Sequence, residues 1–552
     1  MAENLQLETR HANIRNRLFV LSLLVSATIV LTYPQAFRLG RAVGNHYDAL
    51  FSIWRLSWIA HSLRDGADLF DANIFYPERL TFAYSDAMLL PGLLGAPLAW
   101  AGMKPATVYN LLVLATFPAT GFAMYVVVEA RTRSVPAAVL SAVIFAFSPY
   151  RIAHMAQVEL LWMWPIPLAF KALHDLVHAP TPKHALLLAA WVVAQALGCL
   201  YYAVFLCLGL VVLTGVALVG RPWRSMTRVV CWLALAATVA GIALRPYLQV
   251  YRIAAALHSA RSIRDLVPWS AHWASYASVL DTSLLYRYIG HAGSLEMTLF
   301  PGLLPVFLAL CGIRPLSRLT AGYILLACVA IDLSLGVNGS GLFEFLFDRV
   351  GVFGALRVPA RAFVLLSASI AMLAGLGLSN LMQKLKRSCP QSGVRAAASL
   401  TIAAVAIELC GAPLNLMALD VAPPAVYRWL AVQPAAVVLE WPLPRASSLG
   451  LTHEPEYMYY STAHWRPLVN GYSGNYPDSY ILLLEAMVDF PSAASIRALR
   501  ERRVTYIILH QAYSPEAYVQ TIDALLHRPE LEPVNNERRP EGDVAVFRLR
   551  VP

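Results

Sequence analysis

The stretch AVGNHYDALFSIWRLSWIAHSL, residues 42–63, follows the first apolar segment of the chain. Apolar or aromatic residues recur at positions 47, 50, 51, 54, 58 and 59, which is roughly the i, i+3, i+4, i+7 rhythm of an amphipathic helix. Trp54 and Trp58 belong to a residue type that favours the headgroup level of a bilayer. We therefore predict a helix that lies on the membrane surface, with Asp48 at its start.

The composition of the whole chain is that of a membrane protein. Of its 552 residues, 58% are hydrophobic and only 14% are charged, and the mean hydropathy is +0.55. Soluble domains have about 45–50% apolar and about 25% charged residues. The net charge of +10 does not indicate a nucleic-acid partner, because basic residues accumulate in the cytoplasmic loops of membrane proteins and orient their helices.

Apolar runs of about 17–25 residues predict transmembrane helices. The chain has about eleven such runs, so we predict an α-helical polytopic membrane protein. They lie near residues 18–34, 107–128, 134–148, 160–178, 185–201, 203–220, 229–246, 298–313, 319–337, 362–382 and 396–416. The first run follows basic residues without a small-residue cleavage site, and we interpret it as a retained helix.

The basic residues between these runs indicate the orientation. With the N-terminus in the cytoplasm, every connection expected on that side contains Lys or Arg, as the positive-inside rule requires. Residues 88–103 would reverse this order if they crossed, but they are few and include two prolines, which favours an interfacial or re-entrant helix. The first loop, residues 35–106, and everything after about residue 417 are then outside.

The composition changes near residue 418, where short buried strands and amphipathic helices are expected. We predict a transmembrane domain over residues 1–417 and a small soluble α/β domain over residues 418–552. The strands are AAVVLEWPL (435–443), VTYIILH (504–510) and DVAVFRLR (543–550), and the helices are SAASIRALRERR (492–503) and SPEAYVQTIDALLHR (514–528).

Two carboxylates in the first loop are candidate catalytic groups. Asp48 begins the helix described above, where an acid also serves as an N-cap for the first amides. Asp86, in ANIFYPERLTFAYSDAMLLPG (72–92), lies at a second junction of loop and helix. Two such acids favour a paired site, and the alternative is that both are caps.

Cations on the outer side are candidate anion ligands. FAFSPYRIAHMAQVELLW (145–162) places Arg151, His154 and Glu159 between two spans, where polar groups lie at an interface or in a cavity. GALRVPARAF (354–363) adds Arg357 and Arg361, for which lipid headgroups are the alternative ligand. Arginine presents a planar fork that matches phosphate oxygens.

Metal and nucleotide chemistry have no sequence support. The histidines form no i, i+4 pair with a carboxylate ligand set, the pattern expected of a zinc site. No GxGxxG after a strand, GxxxxGK[ST] or GxSxG occurs, so nucleotide binding and α/β-hydrolase chemistry are not indicated. We expect no cofactor and no metal ion.

Five motifs together resemble the GT-C glycosyltransferase superfamily, and the resemblance covers essentially the whole chain. The motifs are YDALFSIWRLSW (47–58), ANIFYPERLTFAYSDAMLLPG, FAFSPYR with a following His, LRVPARAF (356–363) and LVNGYSG (468–474). The resemblance implies a bacterial inner-membrane enzyme whose donor is a sugar on a polyprenyl phosphate and whose acceptor is a hydroxyl of a glycan, a lipid or a protein.

The same resemblance implies roles for particular residues. Asp48 would be the general base of an inverting transfer at the extracytoplasmic face, and Asp86 its helper, or a ligand in metal-dependent members. The sequence YDA lacks an acid next to Asp48, which argues against a metal-binding pair. The expected substrate-binding residues are Tyr47, Arg151, His154, Glu159, Arg357 and Arg361.

Two other classes of function compete with the enzyme. A transporter or flippase of lipid-linked intermediates would show inverted repeats and interrupted helices, which are not evident. A non-catalytic glycan-binding membrane factor would use HWRPLVNGYSGNYPDSY (464–480) as an aromatic binding loop, although aromatic residues are equally common in the cores of small domains.

Overall fold

The computed structural model describes residues 2–257, 261–290, 293–419, 423–434, 436–449 and 452–550. Helices dominate this described part, together with a few short strands. The helices are α1 Ala2–Leu31, α2 Asp48–Asp65, α3 Leu89–Trp100, α4 Pro105–Thr132, α5 Val135–Ala146, α6 Pro149–Ala153, α7 Val158–Leu161, α8 Pro165–His178, α9 Pro182–Gly198, α10 Leu200–Leu218, α11 Trp223–Ala256, α12 Leu303–Cys311, α13 Arg318–Leu335, α14 Leu342–Arg349, α15 Phe363–Leu385, α16 Gln391–Glu408, α17 Ala425–Ala431, α18 Glu454–Ser461, α19 Asp478–Ala486, α20 Ala493–Glu501 and α21 Pro515–Leu526. The strands are β1 Ala42–Val43, β2 Met417–Ala418, β3 Val438–Trp441, β4 Tyr506–His510, β5 Leu531–Glu537 and β6 Val544–Leu549.

The chain packs into two compact units. The helical unit consists of residues 1–39, 110–245 and 260–416, and the sheet unit consists of residues 40–109, 246–259 and 417–552. The first loop therefore packs in the same unit as the C-terminal segment. The predicted division of the chain into a transmembrane domain, residues 1–417, and a soluble domain, residues 418–552, stays a prediction.

Seven of the described helical segments are long and apolar enough to cross a membrane, and the chain is a polytopic membrane protein as predicted. They are Ile14–Leu31, Pro105–Thr132, Val135–Ala153, Leu200–Leu218, Trp223–Ala256, Arg318–Asn338 and Pro359–Leu385. The other four predicted spans contain α8, α9, α12 and α16, of 14, 17, 9 and 18 residues. Two of these helices begin about five residues after the start of the predicted span. Helix α8 begins at Pro165, and α12 follows Gly302, whose φ is 89°.

Helix α15 forms the core of the helical unit. Within its span, Pro359–Leu385, an apolar window of 18 residues is 94% buried, as expected of a helix that is apolar on all sides. It packs against α5, α12 and α13. A Cβ atom on Gly377 would lie 1.9 Å from the carbonyl oxygen of Leu308, so the backbones of α15 and α12 meet where only glycine fits.

Side-chain caps fix where several helices of this unit begin. The hydroxyl oxygens of Ser134, Thr181 and Ser317 accept hydrogen bonds from backbone amides three residues further on. Proline follows within the first turn of α5 and α9, where its missing N–H costs nothing. Each cap contributes about 1 kcal/mol, so these boundaries are encoded locally.

The expectation that Trp54 and Trp58 of α2 lie at the headgroup level is wrong, because protein covers both, whereas the position of α2 at a membrane surface stays a prediction. Trp54 and Trp58 are 1% and 4% exposed, and α3 and α18 pack against their helix within the sheet unit. The indole N–H of Trp54 donates to Asn73 Oδ1 at 3.1 Å, and that of Trp58 to the carbonyl of Leu69 at 2.8 Å. Protein groups therefore satisfy both indoles, and α2 is a core helix.

Helix α3 occupies the segment that was expected to be interfacial or re-entrant. It has 12 residues and contains Pro97, and at 1.5 Å per residue it is about 18 Å long. The hydrocarbon core of a bilayer is about 30 Å thick. Helix α3 is therefore too short to cross alone, in agreement with the prediction.

The sheet of the C-terminal segment has the order β3-β4-β6-β5. Strand β3 pairs parallel with β4, and the other pairs are antiparallel. The three predicted strands and two predicted helices are confirmed. Strand β5 was not predicted, because LEPVNNE is polar and contains a proline, both of which an edge strand tolerates. Strand β1 in the first loop pairs with β2, Ala42 opposite Ala418.

Candidate functional site

The start of α2 places the first candidate acid. The side-chain oxygen of Asn45 accepts hydrogen bonds from the amides of Tyr47 at 3.0 Å and Ala49 at 3.2 Å. Asn45 therefore supplies an acceptor to two amides at the start of α2, whose N-cap residue is Tyr47. Asp48 is half-buried as the first residue of α2, and Tyr47 before it is 40% exposed.

A tyrosine from the C-terminal segment contacts the Asp48 carboxylate. The hydroxyl of Tyr472 donates to Asp48 Oδ1 at 3.3 Å. The ring of Tyr472 meets that of Phe51 edge to face, with the centroids 5.3 Å apart. Asp48 and Phe51 are three residues apart and therefore share a face of α2, so one side chain contacts both.

Asp86 is tied to α2 through Arg55. The Arg55 side chain is 1% exposed and donates to the main-chain carbonyl of Asp86 at 2.8 Å. Its guanidinium also lies 4.2 Å from the centre of the Phe51 ring. The Asp86 carboxylate accepts a hydrogen bond from the amide of Met88 at 3.4 Å, directly before α3. Both candidate acids thus belong to one packed cluster around Phe51.

The backbone on either side of Asp86 is held by two further side chains. The Tyr251 hydroxyl donates to the carbonyl of Ser85 at 2.9 Å and accepts from the amide of Ala87 at 2.8 Å. Asn475 donates from Nδ2 to the carbonyl of Tyr84 at 3.0 Å. The position of Asp86 is therefore set by the surrounding packing.

Asn470 anchors the segment that carries Tyr472 and Asn475. Asn470 is fully buried; its oxygen accepts from the amide of Glu440 at 2.7 Å, and its Nδ2 donates to the carbonyl of Glu440 and to Glu454 Oε1, each at 3.0 Å. Burial raises the pKa of Glu454 to about 8. Glu454 therefore holds its proton near neutral pH, which lowers the cost of burying it beside Asn470.

In the helical unit, two predicted residues meet at an acid that the sequence analysis did not select. The Nε of Arg361 lies 3.2 Å from both carboxylate oxygens of Glu296, and its Nη2 makes a further short contact with Oε1. His154 Nε2 lies 3.0 Å from Glu296 Oε2. Burial would raise the pKa of Glu296, but the charges of Arg361 and His154 outweigh it and hold this pKa well below its usual range.

His154 contacts two oxygen atoms. Its Nδ1 lies 2.7 Å from the carbonyl oxygen of Tyr150, and its Nε2 lies 3.0 Å from Glu296 Oε2. The cluster of Arg361, His154 and Glu296 therefore joins two basic side chains to one carboxylate.

Arg357 lies in a second basic group of the same unit. It is half-buried with its guanidinium 5.0 Å from the centre of the Trp269 ring. Burial and the nearby charge of Arg357 both lower the pKa of Arg261, and Arg261 donates to the carbonyl of Ala355. Two like charges side by side favour the binding of an anion.

Arg151 has a structural position, and the prediction of an anion ligand needs correction on physical grounds. Its side chain is fully buried and donates to the carbonyls of Ala146 and Leu161 and to the hydroxyl of Thr116, each at 3.0 Å. Three of the five guanidinium N–H groups are thereby donated to protein acceptors, so fewer remain for a phosphate, and the full burial of the side chain separates it from solvent. Glu159 is half-buried in the first turn of α7.

The sequence analysis missed several residues of these clusters. Tyr472 lies in LVNGYSG and Arg55 in the opening stretch, so both were visible within quoted motifs without a sign of their partners. Glu296, in GSLEM (293–297), is an isolated acid with no local pattern. Among the described residues, no group of three or more His, Cys, Asp or Glu is arranged to hold a metal ion.

The architecture defines a class: a polytopic helical membrane protein whose first loop packs with a C-terminal α/β segment. No family model and no curated protein sequence matches the chain. Among solved structures, ArnT from Cupriavidus metallidurans in the apo state is similar, with a TM-score of 0.51, 14% identity and coverage of 95% of this chain and 97% of that one. The chain shares this fold, and the GT-C resemblance is confirmed at the level of the fold.

Two further structures are similar at lower scores. ArnT from Cupriavidus metallidurans bound to undecaprenyl phosphate has a TM-score of 0.49 and 12% identity, over 95% of this chain and 97% of that one. The archaeal oligosaccharyltransferase AglB from Archaeoglobus fulgidus, in complex with an inhibitory peptide and a dolichol-phosphate, has a TM-score of 0.48 and 12% identity, over 91% of this chain and 70% of that one.

Proposed function

We propose that this chain is an integral-membrane glycosyltransferase that moves a sugar from a polyprenyl-phosphate-linked donor to an acceptor hydroxyl. The observation that carries the proposal is the Asp48 carboxylate, which is half-buried at the start of α2 and contacted by the Tyr472 hydroxyl. The sequence motifs and the shared fold support the donor class.

In the proposed reaction Asp48 is the general base. As the acceptor oxygen attacks the anomeric carbon, its proton passes to Asp48 and the bond from that carbon to the phosphate oxygen breaks. The bonding electron pair leaves with the polyprenyl phosphate, which becomes a monoester. A single displacement of this kind inverts the anomeric centre. Asp86 orients the acceptor as the helper of Asp48, and general base catalysis of this type contributes about 10²–10⁴ in rate.

The leaving phosphate gains a second negative charge, which cations must stabilise. We assign this role to Arg357 and to the cluster of Arg361, His154 and Glu296. That cluster contains two basic side chains, Arg361 and His154, and one carboxylate. Arg151 is left out of the proposed phosphate site because protein acceptors use its guanidinium.

The proposed setting is the inner membrane of a bacterial cell, with the N-terminus in the cytoplasm and the C-terminal segment outside. The basic residues of the predicted cytoplasmic connections support this orientation. A polyprenyl-linked donor stays in the bilayer, so the base and the phosphate ligands would act at the extracytoplasmic face.

The test uses the full-length protein in nanodiscs of phosphatidylethanolamine and phosphatidylglycerol. Radiolabelled undecaprenyl-phosphate hexoses and pentoses are supplied with membranes of the expressing cells as the source of acceptor, and release of label from the lipid is measured. We expect turnover of at least one donor, a loss of at least about 10²-fold in Asp48→Asn, and a smaller loss in Asp86→Asn.

Two results would contradict the proposal. Full turnover by Asp48→Asn would remove the base assignment. Movement of intact labelled lipid between leaflets without release of sugar would instead identify a transporter. Thermal unfolding of each variant, compared with the unsubstituted protein, separates loss of chemistry from loss of fold.

A further inference from the structure

The C-terminal segment contributes directly to the acid site through Tyr472. We infer that Tyr472 is a positioning residue for Asp48, whose hydroxyl fixes the orientation of the carboxylate through the contact to Oδ1 at 3.3 Å. This inference rests on the proposed function, because it assigns Tyr472 a role in the same reaction. It also gives the C-terminal segment a function beyond that of a separate soluble domain.

The ring of Tyr472 has a defined place. It packs edge to face on Phe51, with an angle of 85° between the ring planes, and its amide contacts the sulfur of Met458 at 3.2 Å. Edge-to-face pairs of this kind contribute about 0.5–1.5 kcal/mol beyond their buried area. The contact between the Tyr472 and Phe51 rings therefore fixes the direction of the Tyr472 hydroxyl independently of its hydrogen bond to Asp48.

The segment is anchored before Tyr472. Asn470 makes three hydrogen bonds from its fully buried side chain, to Glu440 and Glu454. A Cβ atom on Gly471 would lie 2.6 Å from the ring of Phe75, so the backbone passes this ring at a distance that only glycine allows. Residues 470 and 471 thus set the point from which Tyr472 extends.

The segment is anchored after Tyr472 as well. A Cβ atom on Gly474 would lie 3.1 Å from the carbonyl oxygen of Tyr84, and Asn475 donates to the same carbonyl. Tyr84 and Ser85 lead directly to Asp86 in the chain. One short segment therefore contacts Asp48 at its middle and the backbone before Asp86 at its end, which relates the positions of the two acids.

The chemistry of a phenol suits this task. A tyrosine hydroxyl donates one proton and is neutral at physiological pH, so it orients a carboxylate and leaves its charge in place. A hydrogen bond to a charged group also favours the charged form. Without the hydroxyl, Asp48 would be protonated at higher pH and would rotate more freely, and both changes reduce its use as a base.

The test compares Tyr472→Phe with Tyr476→Phe in the full-length protein in nanodiscs. Phenylalanine keeps the ring of Tyr472 on Phe51 and removes only the hydroxyl. The Tyr476 hydroxyl donates to the main-chain carbonyl of Leu449 at 3.2 Å, so this control removes a hydroxyl of the same kind from the same segment. The donor is the undecaprenyl-phosphate sugar that the unsubstituted protein turns over.

We expect Tyr472→Phe to lower kcat about 10- to 100-fold with little change in KM, the loss expected when a hydrogen bond to a charged group is removed. The acidic limb of its pH–rate profile should move to higher pH by about half to one unit. Tyr476→Phe should change neither quantity. Equal kcat values and equal pH profiles for the two variants would overturn the inference.

A second measurement does not depend on turnover. A carbodiimide reacts with protonated carboxyl groups, so labelling of Asp48 by dicyclohexylcarbodiimide, followed by mass spectrometry across a pH series, reports its protonation. The midpoint should move to higher pH in Tyr472→Phe, and an unchanged midpoint would overturn the inference. A shifted midpoint together with full activity of Asp48→Asn would support the contact and contradict the proposed function.

Discussion

The polar clusters of the two units treat their carboxylates in different ways. In the helical unit, Glu296 lies between Arg361 and His154, and their charges hold its pKa well below the usual range. In the sheet unit, Asp48 is contacted by the neutral hydroxyl of Tyr472. A carboxylate held between cations is a poor base, and the Tyr472 hydroxyl contacts Asp48 without adding a charge of its own.

The sequence analysis assigned two tasks to two sets of residues, the base to Asp48 with Asp86 as its helper and phosphate binding to the cations. A base needs a carboxylate with access to protons, and a phosphate ligand needs positive charge that is not fully neutralised. In the proposed reaction the base belongs to the sheet unit and the phosphate ligands belong to the helical unit. The three predictions below test this separation, in order of decreasing effect.

The largest effect is expected from Glu296→Gln in the helical unit. This change leaves Arg361 and His154 buried without their carboxylate, and breaking one side of a buried ion pair costs about 3–5 kcal/mol. Thermal unfolding should show a large fall in Tm. Undecaprenyl phosphate should raise the Tm of this variant more than that of the unsubstituted protein, because its phosphate replaces the missing anion.

Glu408→Gln provides the matched control for that experiment. Glu408 is also a buried acid of the helical unit, where it accepts hydrogen bonds from the Tyr286 hydroxyl and the amide of Leu304. Undecaprenyl phosphate should not restore its stability selectively. Equal stabilisation of both variants by the lipid would contradict the phosphate role of the Arg361 cluster.

An intermediate effect is expected from the pH dependence of Glu454. The pKa of Glu454 in the folded state, about 8, lies above the ordinary glutamate value of 4.5, so the folded state binds the proton more tightly than the unfolded state does. The stability that this provides is present below about pH 4.5 and is lost as pH rises to about 8. Glu454→Gln should therefore gain stability over the unsubstituted protein, by a few kcal/mol, between pH 5.5 and 8.5.

The same comparison cancels the main opposing titration. Burial lowers the pKa of His464 to about 3. His464 therefore reduces the stability of the folded state as the pH falls below 6.5, the ordinary pKa of histidine. It is present in both proteins and drops out of the difference. A difference in Tm between Glu454→Gln and the unsubstituted protein that stays constant across this pH range would show that Glu454 does not bind its proton as described.

The smallest effect is expected from Arg357→Ala. The loss of one charged contact to a phosphate should weaken binding of undecaprenyl phosphate about tenfold, which corresponds to about 1.4 kcal/mol. Arg264→Ala is the control, because Arg264 is exposed in a neighbouring stretch of the same unit. The affinity of each variant for undecaprenyl phosphate is measured in nanodiscs of neutral lipid. Equal affinities of Arg357→Ala and Arg264→Ala would show that Arg357 makes only nonspecific contacts with lipid headgroups.

The sequence predicted those elements whose pattern is local. Apolar runs located the helices, and alternation located β3, β4 and β6. Helix α2 was also placed correctly along the chain, but its surroundings were not, because the helical rhythm shows that one face is apolar and does not show what covers the other. Ser52 and Arg55, two polar residues of α2, are buried too, and Arg55 donates to the carbonyl of Asp86, 31 positions away in sequence.

The candidate site shows the same limit. Asp48, Asp86 and Arg357 were selected from local context, since an acid or a cation at a helix end beside a membrane segment is unusual. Tyr472 and Glu296 were not selected, because their significance depends on residues 424 and 65 positions away, respectively. Arg151 was predicted to bind an anion, but in the structure its guanidinium donates to protein acceptors. Nothing in the local sequence of Arg151 indicates those acceptors.

The separation between Asp48 and Tyr472 has a consequence for biosynthesis. Chains are made at about 5–20 residues per second, so the 424 residues between these partners take roughly 20–80 seconds to synthesise. Throughout this time α2 exists without the segment that covers Trp58 through Trp465. These tryptophans of the first loop therefore stay uncovered by that segment until the last quarter of the chain has been synthesised. A chaperone that binds exposed aromatic surface would act in this interval.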